Sequence, residues 1–199
     1  VMNVVSNDPV QEKQGAGGIT IGSYNLRQFT GMVNLPLSNT VAVRLAGSSV
    51  KRDGYINNGQ DDNDAQGFRA KLLWKPSDAM SLLVGGEWTN LGGAGIGTVT
   101  SFITAPSASL AWVSTRSPYQ SIQRKGYKVW AQFDADLGIG HLTALPAYQW
   151  LTNPKQALNN GGNNSIAPGW GGLAQKSIEL RYGSRAESRV KWLVGAYTY

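Results

Sequence analysis

The sequence predicts an all-β protein, an antiparallel transmembrane β-barrel seen in part, and three observations predict it. Apolar residues recur with a period of two along most of the chain. Ionisable residues inside those alternating stretches fall on the face opposite the apolar set. Tight turns and long polar connections follow one another in alternation. A transmembrane barrel requires all three, because its strands turn an apolar face to lipid, a polar face to the lumen, and join by short turns on one side and long loops on the other.

The alternation can be followed strand by strand. Gly17, Ile19 and Ile21 oppose Gly18, Thr20 and Gly22. Phe29, Gly31, Val33, Leu35 and Leu37 oppose Gln28, Thr30, Met32 and Asn34, and Ser38-Asn39 makes the turn. Val41, Val43, Leu45 and Gly47 oppose Ala42, Arg44, Ala46 and Ser48. Phe68, Ala70, Leu72 and Trp74 oppose Arg69, Lys71 and Leu73, closed by Lys75-Pro76-Ser77-Asp78. Met80, Leu82, Val84, Gly86 and Trp88 oppose Ser81, Leu83, Gly85, Glu87 and Thr89. Tyr127, Val129, Ala131, Phe133, Ala135 and Leu137 oppose Lys128, Trp130, Gln132, Asp134 and Asp136, before the turn Gly138-Ile139-Gly140. Leu142, Ala144, Tyr148 and Trp150 form the next segment, in which Pro146 marks a local bulge because a central strand tolerates proline poorly. Ile178, Leu180 and Tyr182 oppose Ser177, Glu179 and Arg181. After a turn from Ser184 to Ser188, Val190, Trp192, Val194 and Ala196 oppose Lys191.

The long polar connections fall at 53–66, 90–125 and 152–175. The segments match the roughly 9–11 residues that cross the hydrocarbon at a tilt of about 45°. Trp74 and Trp192 near short-turn ends, with Trp88 and Tyr127 near long-loop ends, suit two aromatic girdles at the membrane interfaces. The same aromatics would serve as core residues in a soluble β protein, so a soluble reading stays open here.

Composition narrows the function classes. Charged residues make up 15% of the chain, against an ordinary ~25%, and there are 25 glycines. No run approaches the ~18 apolar residues of a membrane helix, which leaves a barrel untouched. The absence of cysteine excludes disulfides, thiolate metal sites and cysteine nucleophiles. The net charge of +6 is dispersed along the chain, which argues against a nucleic-acid-binding face. The first residues, VMNVVSNDP, lack the basic and apolar regions of a signal peptide, so the beginning of an exported protein is expected upstream of Val1.

The order of several stretches resembles the TonB-dependent receptors of Gram-negative outer membranes. Asn3-Val4-Val5-Ser6-Asn7-Asp8-Pro9 is similar to the short strand that ends the family's plug. Val33-Asn34-Leu35-Pro36-Leu37-Ser38, Arg52-Asp53-Gly54-Tyr55 and Leu73-Trp74-Lys75-Pro76-Ser77-Asp78 follow in the family's order, and Ser177-Ile178-Glu179-Leu180-Arg181 and Lys191-Trp192-Leu193-Val194-Gly195 match its style near the end. The resemblance implies that residues 1–9 are the tail of a plug domain and residues 10–199 the N-terminal part of the barrel, about nine strands of the family's barrel of about 22. It implies energy-coupled uptake of a scarce nutrient in the outer membrane. The ligand would be a ferric siderophore, or alternatively a saccharide, cobalamin or an aromatic compound. The partners would be outer-membrane lipid and the TonB complex, which acts through the upstream part.

On that reading Arg44, Arg69, Lys71, Glu87, Lys128, Asp134, Asp136, Glu179 and Arg181 are lumen-facing charges. Tyr55, Trp112, Arg116, Tyr119 and Trp170, in the long loops, are the candidate ligand contacts, since aromatics and arginine dominate binding hot spots. No catalytic residue, metal site or cofactor is expected. His141 is the single histidine and sits beside a turn. Asp61-Asp62-Asn63-Asp64 could hold a hard cation or form a solvated loop. Gly93-Ala94-Gly95-Ile96-Gly97 lacks the spacing of a phosphate-cradling loop, and Asn163-Asn164-Ser165 is a glycosylation sequon by composition only. A passive porin and a soluble all-β binding module remain the rival readings.

Overall fold

The structure, a computed structural model, describes residues 6–55, 59–94, 122–160, 163–168 and 172–199. Ten strands make one antiparallel sheet: β1 (Gln14–Gly22), β2 (Leu26–Pro36), β3 (Val41–Arg52), β4 (Asn63–Ser77), β5 (Met80–Gly92), β6 (Ile122–Leu137), β7 (Gly140–Asn160), β8 (Asn163–Pro168), β9 (Leu173–Ser184) and β10 (Leu193–Thr198). Nine lie side by side in the order β1-β2-β3-β4-β5-β6-β7-β9-β10, and β8 pairs only with the far end of β7. This up-and-down order needs only hairpin connections. No helix among the described residues is long and apolar enough to cross a membrane, and this is no test of crossing by strands.

The turns follow local chemistry. At β2–β3, the Ser38 hydroxyl accepts from the backbone N–H groups of Thr40 (3.2 Å) and Val41 (3.1 Å), and Leu37 N–H bonds the Val41 carbonyl at 2.8 Å. At β6–β7 Leu137 pairs with Gly140, leaving a two-residue turn whose first member, Gly138, has φ 68°, the left-handed region that favours glycine. At β1–β2 the left-handed positions are Tyr24 and Asn25, at φ 58° and 54°. That connection is tight although it lies at the long-loop end of the sheet, an exception to the expected segregation of loop lengths.

Register places the two faces in rows. On the apolar face, Gly31, Gly47, Phe68, Trp88, Tyr127 and Trp150 are successive cross-strand neighbours. Nearer the short turns, Val41, Trp74, Leu82 and Phe133 are neighbours on the same face. On the polar face, Ala46, Arg69, Glu87, Lys128, Gln149 and Gln175 form one row. Asn34, Arg44, Lys71, Gly85, Trp130 and Ala147 form the next.

The sheet has no second layer to make a conventional core. Among the described residues the buried hydrophobics are Ala42, Leu83 and Ala135, whereas Phe68, Trp74, Val129 and Leu180 are 47%, 43%, 55% and 43% exposed. The accessible surface is 13882 Å², against ~9100 Å² for a compact soluble chain of this mass. A soluble sandwich would stack a second sheet on the apolar face; here all the described strands belong to one sheet, and that face is bare.

Several details differ from expectation. The segment 152–175 is not simply a loop: β7 runs on to Asn160, and β8 pairs with that extension. The connection at 53–66 is shorter than expected, because β4 starts at Asn63. Pro146 causes no bulge, since pairing with β9 passes through Pro146–Ile178 without a shift. On the β6 side the ladder steps from Trp130–Ala147 to Phe133–Ala144 with register kept, as a residue without an N–H allows. The shifts sit instead between Trp74 and Ser77 and between Gln123 and Lys125. Val190 and Trp192 precede β10 rather than forming its start, because Ser184 and Trp192 close the turn through the Ser184 N–H to the Trp192 carbonyl, 2.9 Å. The charge rule also needs amendment. Arg27, Lys51, Asp64, Lys125 and Lys176 lie in strands longer than expected and share the parity of the apolar face, all but Lys176 near its loop end.

Candidate functional site: the polar face and its rim

The polar face is built from side chains that pair across strands. Arg69 donates from Nε and Nη2 to Glu87 Oε2 at 2.9 and 2.7 Å, as their direct opposition on β4 and β5 dictates. Lys128 opposes Glu87 from β6, and its ammonium lies 5.4 Å from the Trp130 ring centroid. Arg181 pairs at 2.6 Å with Glu179, two residues away on the same face of β9. Arg44 reaches Gln14 Oε1 at 3.3 Å. The nine charges expected on one face do share it by parity, but they resolve into separate small groups.

The most enclosed of these groups holds the segment that precedes β1. Asn34 is fully buried on the polar face of β2. Its Oδ1 accepts the Val10 N–H at 3.0 Å, and its Nδ2 donates to the Val10 carbonyl at 2.7 Å and to the Glu12 carbonyl. Lys71, 6% exposed, donates from Nζ to the Ser6 carbonyl at 2.9 Å and to Asp8 Oδ1 at 2.7 Å. Pro9 between them is fully buried. Residues 6–12 are therefore strapped across the polar face by an amide and an ammonium, each bonded to backbone groups of the strap.

A third group lies at the short-turn end. Thr143 Oγ1 donates to Asp134 Oδ1 at 2.7 Å, and Gln132 Nε2 donates to Asp134 Oδ2 at 2.8 Å. His141 Nδ1 lies 2.9 Å from Asp136 Oδ1, and its Nε2 lies 3.4 Å from Asp134 Oδ1. His141 is two residues past the Gly138-Ile139 turn, at the mouth of the sheet. Its hydrogen bond to Asp136 above all, then Asp134, raises its pKa against a smaller opposing effect of desolvation. The Thr143 hydroxyl donates to Asp134 rather than to the imidazole, so the group builds no activated nucleophile.

At the loop-end rim, Arg52-Asp53-Gly54-Tyr55 ties neighbouring connections together. The Arg52 guanidinium lies 3.6 Å from the Tyr55 ring centroid and donates to the Asp61 carbonyl at 2.6 Å. Tyr24 meets Tyr55 edge-on at 4.7 Å, and Asp53 N–H bonds the Tyr24 carbonyl at 2.8 Å. Asp62 accepts the Ala94 N–H on both oxygens, at 2.9 and 3.0 Å. A Cβ on Gly93, at φ 107°, would fall 2.4 Å from that carboxylate. Gly93-Ala94 thus binds a carboxylate of its own chain. Among the described residues no group of three or more His, Cys, Asp or Glu side chains is arranged to hold a metal.

Of the candidate ligand contacts, Tyr55 is 44% exposed within this rim. Trp112, Arg116, Tyr119 and Trp170 lie outside the described residues. Trp74, Trp88, Tyr127 and Trp192 all fall on or beside the apolar face; Trp192 meets Tyr182 at 5.2 Å and Tyr127 stacks on Trp150 at 5.6 Å. Sequence reasoning missed Phe68 and Trp150 as members of the aromatic row, although their parity was readable. It also missed Asn34, for which no local signal exists: nothing in a strand says which distant segment will cross it.

No family model and no curated protein sequence matches the chain. Solved structures do. The chain is similar to FpvA of P. aeruginosa in complex with a ferric pyoverdine, with TM-score 0.69 and 12% identity over 96% of this chain and 28% of that one. It is similar to FpvAI in complex with pyocin S2, with TM-score 0.68 and 12% identity over 96% and 27%. It is also similar to the ferric-catecholate import receptor Fiu of E. coli K12, with TM-score 0.66 and 14% identity over 90% and 30%. These neighbours are TonB-dependent receptors, and the chain has the fold of part of their β-barrel wall. It spans less than a third of their length.

Proposed function

We propose that this chain is the first part of the barrel wall of a TonB-dependent outer-membrane receptor, which takes up a ferric siderophore by energy-coupled gating. The observation that carries the reading is the opposition of the two faces. One is bare and apolar with aromatic rows toward both ends; the other is polar and holds residues 6–12 as a strap through the buried side chains of Asn34 and Lys71. A bare apolar face belongs in lipid, and a polar face with chain laid across it belongs in a plugged lumen. Residues 1–9 are then the end of the plug and 10–199 the start of the barrel. Barrel closure in lipid needs partners for the unpaired edges of β1 and β10, since each unsatisfied backbone group there costs several kcal/mol. The fold likeness to receptors that span far more chain supports that requirement.

In this reading the protein performs no bond chemistry. Ligand is met first at the loop end, where Tyr55, Trp112, Arg116, Tyr119 and Trp170 are the candidate contacts, and the lumen charges hydrate the path and pair with the plug. The test is uptake of radiolabelled iron from a panel of ferric siderophores by iron-starved cells with and without the intact gene, repeated with an uncoupler. Loss of uptake for one siderophore class, abolished equally by the uncoupler, supports the reading. Uptake insensitive to the uncoupler would indicate a passive porin, and no change for any siderophore would remove iron as the cargo.

A further inference from the structure

The bare face is not uniformly apolar. Arg27 and Lys51 are direct cross-strand neighbours on it and Lys125 follows one row nearer the aromatic row, all toward the loop end, whereas Lys176, opposite Tyr148, stands one row on the short-turn side of Trp150. Arg27, Lys51 and Lys176 are exposed and Lys125 is half-buried. None of the four has an ion pair among the described residues. The carboxylate on the same face is Asp64, opposite Lys51, and it makes no such pair either. Asp53, just past the strand, is held by Asn25. Like charges directly opposite in an antiparallel pair repel, so Arg27 against Lys51 is unfavourable unless an anion lies between them.

Their position indicates which anion. Arg27, Lys51 and Lys125 lie one or two rows beyond the row of Phe68, Trp88, Tyr127 and Trp150, about 7–14 Å further along the strands. Headgroups occupy the first several ångströms outside the hydrocarbon, the depth at which a girdle gives way to charge. At the opposite end the same face presents Leu35, Leu37, Met80 and Leu137, with no Asp, Glu, Lys or Arg among the described strand residues there. Cations at one end of one face fit a membrane whose two leaflets differ in charge.

We propose that Arg27, Lys51 and Lys125 form a collar that binds the phosphate groups of anionic lipids in the leaflet at the loop end. This rests on the membrane reading above. The test uses the full-length protein that carries this chain, purified in mild detergent and mixed with a bis-phosphorylated glycolipid or with phosphatidylcholine, with retained lipid counted by native mass spectrometry. The wild type should retain the phosphorylated lipid at least tenfold over phosphatidylcholine, with retention falling as salt rises. The combined variant Arg27→Gln, Lys51→Gln, Lys125→Gln should lose that preference, whereas Lys128→Gln on the polar face should keep it. Equal retention by the combined variant, wild-type retention indifferent to salt, or displacement by inorganic phosphate as readily as by added lipid would each overturn the collar. The salt series stands on the wild type alone and decides the matter even if the variant fails to assemble. A protein that extracts without detergent would instead defeat the membrane reading itself.

Discussion

Asn34 and Lys71 show how single side chains hold residues 6–12 to the wall. Replacing Asn34 by alanine leaves the Val10 N–H and two carbonyls without their partner, at a cost of about 0.5–1.5 kcal/mol for each lost hydrogen bond at such a part-buried site. The Asn34→Ala protein should therefore show faster hydrogen exchange at Val10 and earlier proteolysis within 6–12, while the barrel stays intact; unchanged protection there would mean the strap holds without Asn34. His141 makes a prediction of a different kind. On the proposed membrane reading the part of β7 that would cross is Leu142 to Trp150, so the imidazole sits outside it, at the turn. Its folded pKa is raised above 6.5 by Asp136 first and Asp134 second. A raised histidine contributes stability that is fully present below the unfolded value and disappears as pH rises through the folded value. An NMR titration of the wild type should give a midpoint above 6.5, and Asp136→Asn should lower it. A midpoint unmoved by that substitution would remove Asp136 as the main cause.

Among the elements, β5 and β6 depend on a close approach. A Cβ on Gly85 would lie 2.2 Å from the Trp130 indole, so the ring rests where any larger residue would stand. Gly85→Val should displace Trp130, destabilise by about 1–3 kcal/mol, and shift the fluorescence of a variant retaining only that tryptophan. The same two strands show how far the sequence can be read. Parity set Lys128 and Trp130 apart from Tyr127 and Val129, and the register confirms the split. It carried no information that Trp130 would lie across Gly85, because that contact depends on which residue stands opposite on the neighbouring strand. Pro146 teaches the converse. Its missing N–H was readable, but whether the sheet answers with a bulge or an interrupted ladder depends on both neighbours of β7.

At the scale of the whole molecule, the decisive property is a sheet with one bare apolar face. Single-tryptophan forms of the full-length protein in vesicles containing brominated lipid test it directly. Trp88 and Trp150 should be quenched strongly and Trp130 weakly, since the first two share a row on the apolar face and the third stands on the polar one. Equal quenching would undo the assignment of faces. The polar-face charges make a matching prediction: Arg44→Glu or Lys128→Glu should alter uptake or packing of residues 6–12 while leaving insertion intact. Loss of insertion would place those charges on the wrong side. By itself the sequence determined the strands, their faces and the positions of most turns, because a period of two and local turn chemistry act over a few residues. Only the tertiary structure decided that 6–12 lies across Asn34 and Lys71, that β7 and β8 extend past the sheet, and that Arg27 opposes Lys51. Those facts depend on register between distant segments, which hydrophobic alternation leaves free.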